Sequence, residues 1–290
     1  MAVIVPSQQE IQGPEPGRRR YGIFDAAVRP GPLGNGVIAS GLTFAAEDCG
    51  ISVVPYDPTC AAPHPEKPFA PGTAFVESNP YWLLTTYQCG TLGTTADDVR
   101  RRVRKRYDAG VQWAVEQQIW TGGGITGVPN LSATAPANIV VPAAPGAGAA
   151  ISALEQAFHD QHGYTGVIHV NSTAQAAVQY AGLVGSQGGA GTMRTPLGNA
   201  WSFGSGYGVS GPAGEAPDAG FVWAFITPQV YLWETAVNQP DPVQTLDRTF
   251  NQWMAVAESV WAHAWVCDTV FAVQVPVAAP AVATAPAVPA

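Results

Sequence analysis

TADDVRRRVRKRYDAGVQWAVEQQIWTGGG, residues Thr95 to Gly124, decides the fold. Apolar side chains recur at Val99, Val103, Tyr107, Val111, Val115 and Ile119. A spacing of four keeps one stripe of a helix against a core. Thr95 can cap the first turn, and Asp97 and Asp98 put negative charge where the helix dipole favours it. Gly122, Gly123 and Gly124 supply the stop. The helix is expected over residues 95–121, and roughly 25 residues of it would span about 37 Å at 1.5 Å per residue. A single long helix in a chain otherwise rich in Gly, Pro and Val reads as a spine that carries sheets and loops.

Outward from the spine, residues 1–45 are a Pro-, Gly- and Arg-rich arm with little periodicity. Residues 46–80 form an extension whose Pro-rich part, Asp57–Gly72, is flanked by β-like runs at Gly41–Phe44 and Ile51–Tyr56 before it and Ala74–Val76 after it, as a long projecting hairpin or loop would be. Tyr81–Gln88 reads as a buried strand that leads into the helix. Beyond it come a helix at Ala149–His159, a strand at Val167–Val170 and a helix at Thr173–Ala181 capped by Asn171 and Ser172. A Gly-rich loop follows over Leu183–Gly220, with short strands around Trp201 and Val209. Strands are expected at Phe221–Ile226, Gln229–Trp233, Thr249–Val266 and Val270–Val275, with a helical alternative for Met254–Val260. Residues 276–290 are an Ala/Pro/Val tail of polyproline type.

Of the 290 residues, 47% are hydrophobic and only 12% charged, against roughly 25% charged in an ordinary soluble protein. So little charge fits a surface that is covered by other subunits; a secreted β-rich protein is the alternative. The net charge of −8 excludes a dedicated sequence-reading DNA binder. Basic groups nevertheless cluster at Arg18, Arg19 and Arg20 and at Arg100, Arg101, Arg102, Arg104, Lys105 and Arg106. Such a run is either a solvated helix face or a surface toward a polyanion. The four cysteines have no metal-like spacing, and the N-terminus lacks a leader pattern, so reduced thiols in a cytoplasmic setting are expected. No apolar run is long enough to span a membrane. His159 and His162 could share a helix face but lack a third ligand, so no metal is expected.

The order of these segments resembles the major capsid protein of tailed double-stranded DNA phages, the Hong Kong 97-type fold. Three stretches carry the resemblance: the spine helix and its exit, YDAGVQWAVEQQIWTGGG (107–124); a strand with an Asn-led helix, YTGVIHVNSTAQAAV (164–178); and closing strands, NQWMAVAESVWAHAWVCDTVFAVQV (251–275). The likeness implies an α+β fold. Its parts are the arm (1–45), an extended loop (46–80), a peripheral domain (81–148 and 246–275), an axial domain (149–245) and the tail. It implies a subunit that self-assembles into pentamers and hexamers of an icosahedral virion head, built in the host cytoplasm around phage DNA. A separate scaffolding protein, a portal and a decoration protein are the implied partners. No cofactor and no enzymatic turnover are implied.

Some members of that family join subunits by an isopeptide bond from a loop lysine to an asparagine, with a glutamate as base. Lys67, Asn251 and Glu258 match those roles, and Trp253, Trp261 and Phe271 offer an apolar surround that would lower the lysine pKa. The bland alternative is a loop charge and a structural carboxylate. An encapsulin-like compartment shell and a secreted β-rich hydrolase or binding protein are the rival functions.

Overall fold

The computed structural model describes residues 20–46, 49–50, 74–185, 192–241 and 246–277. Lys67, Arg18, Arg19, the strand expected at 51–56 and the tail beyond residue 277 lie outside them. Helices are α1 (Ile23–Ala26), α2 (Asn35–Ile38), α3 (Ala96–Thr121), α4 (Ala147–His162) and α5 (Gln175–Tyr180). Strands are β1 (Pro32–Leu33), β2 (Leu42–Ala46), β3 (Ala74–Ser78), β4 (Tyr81–Gly90), β5 (Val167–Asn171), β6 (Ala200–Gly204), β7 (Phe221–Thr227), β8 (Val230–Thr235), β9 (Gln252–Trp265) and β10 (Phe271–Pro276).

Two four-stranded sheets, β1-β8-β9-β4 and β10-β7-β5-β6, and the β2–β3 hairpin organise the chain. The sheet boundary does not coincide with the sequence partition at 245/246. β8, from within 149–245, pairs with β9, whereas β10, from within 246–275, pairs with β7. The chain passes from one sheet to the other in the short connections between β7 and β8 and between β9 and β10. Residues around Val209 form no strand, and Met254–Val260 is extended, not helical.

The spine helix α3 has the ends its sequence demands. Thr95 Oγ1 accepts from Asp98 N at 3.2 Å, and Asp98 Oδ2 accepts from Thr95 N at 3.2 Å, a reciprocal capping box. The Thr95 hydroxyl, which donates to Asp98 Oδ2 at 2.7 Å, then the Thr95 N–H and then Arg101 hold the Asp98 carboxyl below its ordinary range. Gly122 closes the helix in the left-handed region at φ 69°, its N–H on the Gln118 carbonyl. Val99, Val103 and Tyr107 pack on Ala255 and Ala257 of β9. Farther along, Val115, Ile119 and Trp120 enter the main core with Trp223, Phe225 and Trp261. The second sheet has its own core, where Ile151, Leu154 and Phe158 of α4 meet Ile168, Val170 and Trp201.

The expected set of reduced thiols is corrected by the structure. Cys49 and Cys267 form a disulfide across 218 positions of sequence, with Cα atoms 5.5 Å apart. Cys89 is free. Pairing over so long a separation is invisible to spacing rules, because only the folded chain brings the two positions together.

Candidate functional site

Strand β4 is the edge of its sheet and was expected to be buried; only one of its faces is. Tyr81 points into the core, whereas Trp82 and Leu84 are each 63% exposed. Successive residues of a strand point to opposite faces, so Trp82 and Leu84 share the face away from α3. Antiparallel register places Val260 beside Trp82, Glu258 beside Leu84 and Met254 beside Gln88. At the β8 side this face is covered by Ile38, Leu33 and Leu42, which pack on Val260 and Ala262. Toward the β4 edge no described segment covers Trp82 or Leu84, and Phe250 is likewise 71% exposed. The sequence conceals this surface because Tyr81–Leu84 is apolar on both faces, which mimics a fully buried strand.

Glu258 lies on this same face. Its Oε1 accepts from Asn238 Nδ2 at 3.0 Å, and its backbone exchanges two hydrogen bonds with Asn238. The apolar groups beside it are Trp82 and Leu84. Trp253 and Trp261, expected to surround it, project from the opposite face of β9, and Phe271 belongs to the other sheet. Asn251 sits in the turn before β9 with φ 52°, a left-handed conformation that Asn tolerates better than most residues, and its carbonyl accepts from Thr91 N. Seven residues of extended chain separate Asn251 from Glu258, about 23 Å at 3.3 Å per residue. Within one copy the two do not meet.

The basic run on α3 is extensively paired within the chain. Arg101 Nη2 lies 2.6 Å from Asp98, Arg104 Nε donates to both Asp108 oxygens at 2.9 and 3.0 Å, and Arg100 reaches Asp97 and Asp241 at 3.5 and 3.4 Å. Arg102 donates to the Tyr87 hydroxyl, and Arg106 donates to the Thr86 carbonyl and stacks its guanidinium on the Tyr87 ring. Exposed pairs of this kind add little stability, but they cancel much of the positive field that the sequence suggests. Lys105 lies on the same helix, and Arg20 is exposed at the start of the described chain.

A second stripe on α3, Gln112, Glu116 and Trp120, is also buried. In the sequence a Gln and a Glu interrupt its apolar signal, although the spacing of four is readable. Glu116 accepts from Gly206 N at 2.9 Å, from Gln112 Nε2 at 3.0 Å and from Ile23 N at 3.4 Å. One carboxylate thus ties the spine helix to α1 and to the loop after β6. That loop, Gly204-Ser205-Gly206-Tyr207-Gly208, owes its glycines to close approach. A Cβ on Gly206 would fall inside the Trp113 carbonyl, and one on Gly208 would stand 2.9 Å from the Trp120 ring. Its apolar anchor, Tyr207, is buried. Replacing Glu116 by Ala should cost about 3–5 kcal/mol, because it strands buried N–H groups, and E116Q should cost less. Urea denaturation of both variants measures this; equal stability to the parent would refute the anchoring role.

The remaining polar groups are structural. His169 is fully buried between the Tyr207 hydroxyl and Thr227 Oγ1, both at 2.9 Å; His263 is fully buried between the Tyr81 hydroxyl at 3.1 Å and the Pro129 carbonyl at 2.7 Å. His162 contacts the Thr269 carbonyl, and burial holds its pKa down. Among the described residues no group of three or more His, Cys, Asp or Glu side chains could hold a metal ion, and no helix is long and apolar enough to cross a membrane. A cleft of about 280 Å³ between Asn130, Asn138, Trp265 and Asp268 has no nucleophile lying against a base.

No family model matches the sequence, and no curated protein matches it. Solved structures do. The capsid of a native GTA particle superposes with a TM-score of 0.57 and 13% identity, over 94% of this chain and 96% of that one. A chain from Microbacterium phage Oxtober96 gives a TM-score of 0.57 at 11% identity, over 94% and 96%. A chain of the holo-SrpI encapsulin complex from Synechococcus elongatus gives 0.55 at 11% identity, over 93% and 94%. The chain therefore has the Hong Kong 97-type capsid fold expected from its segment order.

Proposed function

We propose that this chain is a major shell subunit, which self-assembles into pentamers and hexamers of an icosahedral phage head around double-stranded DNA. The observation that carries the reading is the unfinished face of the β4–β9 pair: Trp82 and Leu84 stand in solvent on a fold shared with capsid subunits. A free-standing monomer gains nothing from large aromatic and aliphatic groups on an edge strand, whereas a tile in a closed lattice buries them. Stable contacts between subunits bury about 1,200–2,000 Å² each, which also accounts for a surface with so few charges. The β4–β9 sheet with α3 serves as the peripheral domain, and the β10-β7-β5-β6 sheet with α4 as the axial domain. The arm, the 46–80 loop, a separate scaffolding protein, a portal and a decoration protein complete the proposed assembly in the host cytoplasm, and the virion is its destination. DNA contact is nonspecific, through whichever of the basic groups at 18–20 and 100–106 the intrachain pairs leave available.

Negative-stain microscopy of the purified full chain, alone and with its scaffolding protein, tests this. Closed icosahedral shells support it; a monodisperse monomer under every condition ends it. An encapsulin-like shell is the second reading, favoured by the superposition on the Synechococcus elongatus complex. Particles isolated from the native source decide between the two, since nuclease-protected DNA marks a phage head and captive protein marks a compartment. The secreted alternative also predicts a disulfide, and one is present, but that single bond weighs less than a fold match over 94% of the chain.

Covalent joining, if it uses Lys67, Asn251 and Glu258, must recruit them from different copies, since Asn251 and Glu258 are far apart in one. Denaturing gels of assembled shells should then show ladders of linked subunits that K67R abolishes. A single band at the monomer mass of 30.2 kDa would remove the cross-link while leaving the shell intact.

A further inference from the structure

We infer that the Cys49–Cys267 disulfide is a redox-controlled staple on the root of the 46–80 extension, open while the chain is in a reducing cytoplasm and closed once it meets an oxidant. Cys49 follows β2, the first strand of the β2–β3 hairpin, and Cys267 lies in the turn between β9 and β10. The bond therefore ties the point where the extension leaves the body to the turn that links the two main sheets. Cys49 Sγ lies 3.6 Å from the Val266 carbonyl, and a side chain at the neighbouring Gly50 would stand 3.8 Å from the Gln161 carbonyl at the end of α4. With the bond closed, the root is seated against both elements.

The two sulfurs differ in access, which gives the bond a direction of assembly. Cys49 is exposed, whereas Cys267 is 1% exposed and has the Tyr164 hydroxyl 3.6 Å from its sulfur. Tyr164 already stands beside the Cys267 sulfur, a polar group within reach of the thiol that opening the bond would create. With a low-molecular-weight disulfide such as oxidised glutathione, the Cys49 thiolate attacks first and releases one glutathione thiolate. The Cys267 thiolate, its proton given to solvent, then attacks the Cys49 sulfur and expels the second. Two protein thiols are oxidised and one small disulfide is reduced to two thiols.

The mechanical effect is local. The β2–β3 hairpin has its own five-residue ladder and is held to the sheet by Val76 on Ala264, Phe44 on Trp233, Leu42 on Val260 and Ala262, and Ser78 Oγ donating to the His263 carbonyl at 2.7 Å. A two-stranded hairpin is marginal by itself, so a covalent tie at its base matters more there than in the main sheets. Only the timing, open in the host and closed after release, rests on the proposed shell function.

The test uses the full chain equilibrated in air, alkylated in denaturant before and after reduction and mapped by mass spectrometry. Cys49 and Cys267 should be found in one linked pair of peptides, with Cys89 alkylated. Reduction should then speed amide exchange in Leu42–Ala46 and Ala74–Ser78 by at least about tenfold, with the main sheets unchanged. C49S should behave like the reduced protein with or without reductant, and C89S like the parent. Alkylation of Cys49 and Cys267 before reduction, or equal hairpin exchange in both redox states, would overturn the staple. Both readouts are made on folded protein whatever its state of assembly, so a failure to form shells leaves this result standing.

Discussion

Changing Trp82 and Leu84 together to lysine should leave the protein folded and abolish shell formation. The two side chains are each 63% exposed on the edge strand β4, so the folded monomer loses little by the exchange. Lysine is tolerated on sheet edges and discourages further pairing there, and a lysine at 84 would face Glu258 across the register, an attractive pair. In an assembled shell the same positions would be desolvated. Truncating an interface tryptophan at the centre of a contact typically costs at least about 2 kcal/mol, and burying two lysines, of which only the one at 84 has a carboxylate opposite, adds a desolvation penalty of comparable or larger size. A loss of about 3–4 kcal/mol per contact raises the threshold concentration for association some 100- to 1,000-fold, and a closed lattice repeats that loss at every copy. Light scattering and microscopy should find monomers at concentrations where the parent forms particles, while the melting temperature of the monomer changes by no more than a few degrees. Shells forming at the parent's threshold would show that this face is not an assembly surface.

What the sequence made legible, and what it concealed, divides along a physical line. The spine helix could be read to its caps because the determinants of a helix are local: a four-residue stripe, Thr95 with Asp98 at the start, Gly122 at the end. The strand β9 could be read from its length and alternation. Partner choice between strands is not local, so the exchange of β8 and β10 between sheets was invisible. So was the pairing of Cys49 with Cys267. The exposed face of β4 was misread for a different reason. A subunit designed to be buried by its neighbours carries core-like residues on its surface, and a sequence cannot distinguish burial within a chain from burial between chains. Glu116 shows the opposite failure. A carboxylate inside a helix pattern reads as the solvent side, and only the fold reveals that backbone amides from two other segments converge on it.

Acidification from pH 7 to 5 should strip several kcal/mol from the folded subunit, well above the range where carboxylates protonate. His169 and His263 are the cause. Burial depresses the first to about 3, aided by the nearby His263, and the second to about 4, against an ordinary value near 6.5. The neutral ring is what the fold accepts: each imidazole has both nitrogens engaged, His169 by Tyr207 and Thr227, His263 by Tyr81 and the Pro129 carbonyl. As pH drops below 6.5 the unfolded chain takes up a proton on each histidine while the folded chain does not. Stability therefore rises with pH through this window and is fully present only above it, with a slope of about 1.4 kcal/mol per pH unit for each histidine. From pH 6.5 to 5 the pair should cost roughly 3–4 kcal/mol, and the loss from these groups should level off only as the folded values near 4 and 3 are passed. Urea midpoints measured across pH 5–8 should be level above about pH 7.5 and fall below it, and H169Q should roughly halve the slope even if it lowers the plateau. A flat profile between pH 7 and 5 would mean that these rings are charged, or solvated, in the folded protein. In a shell the same chemistry acts on every copy at once, so particles should survive neutral conditions and lose their subunits' cores together on mild acidification, with His169 and His263 setting the pH at which they do so.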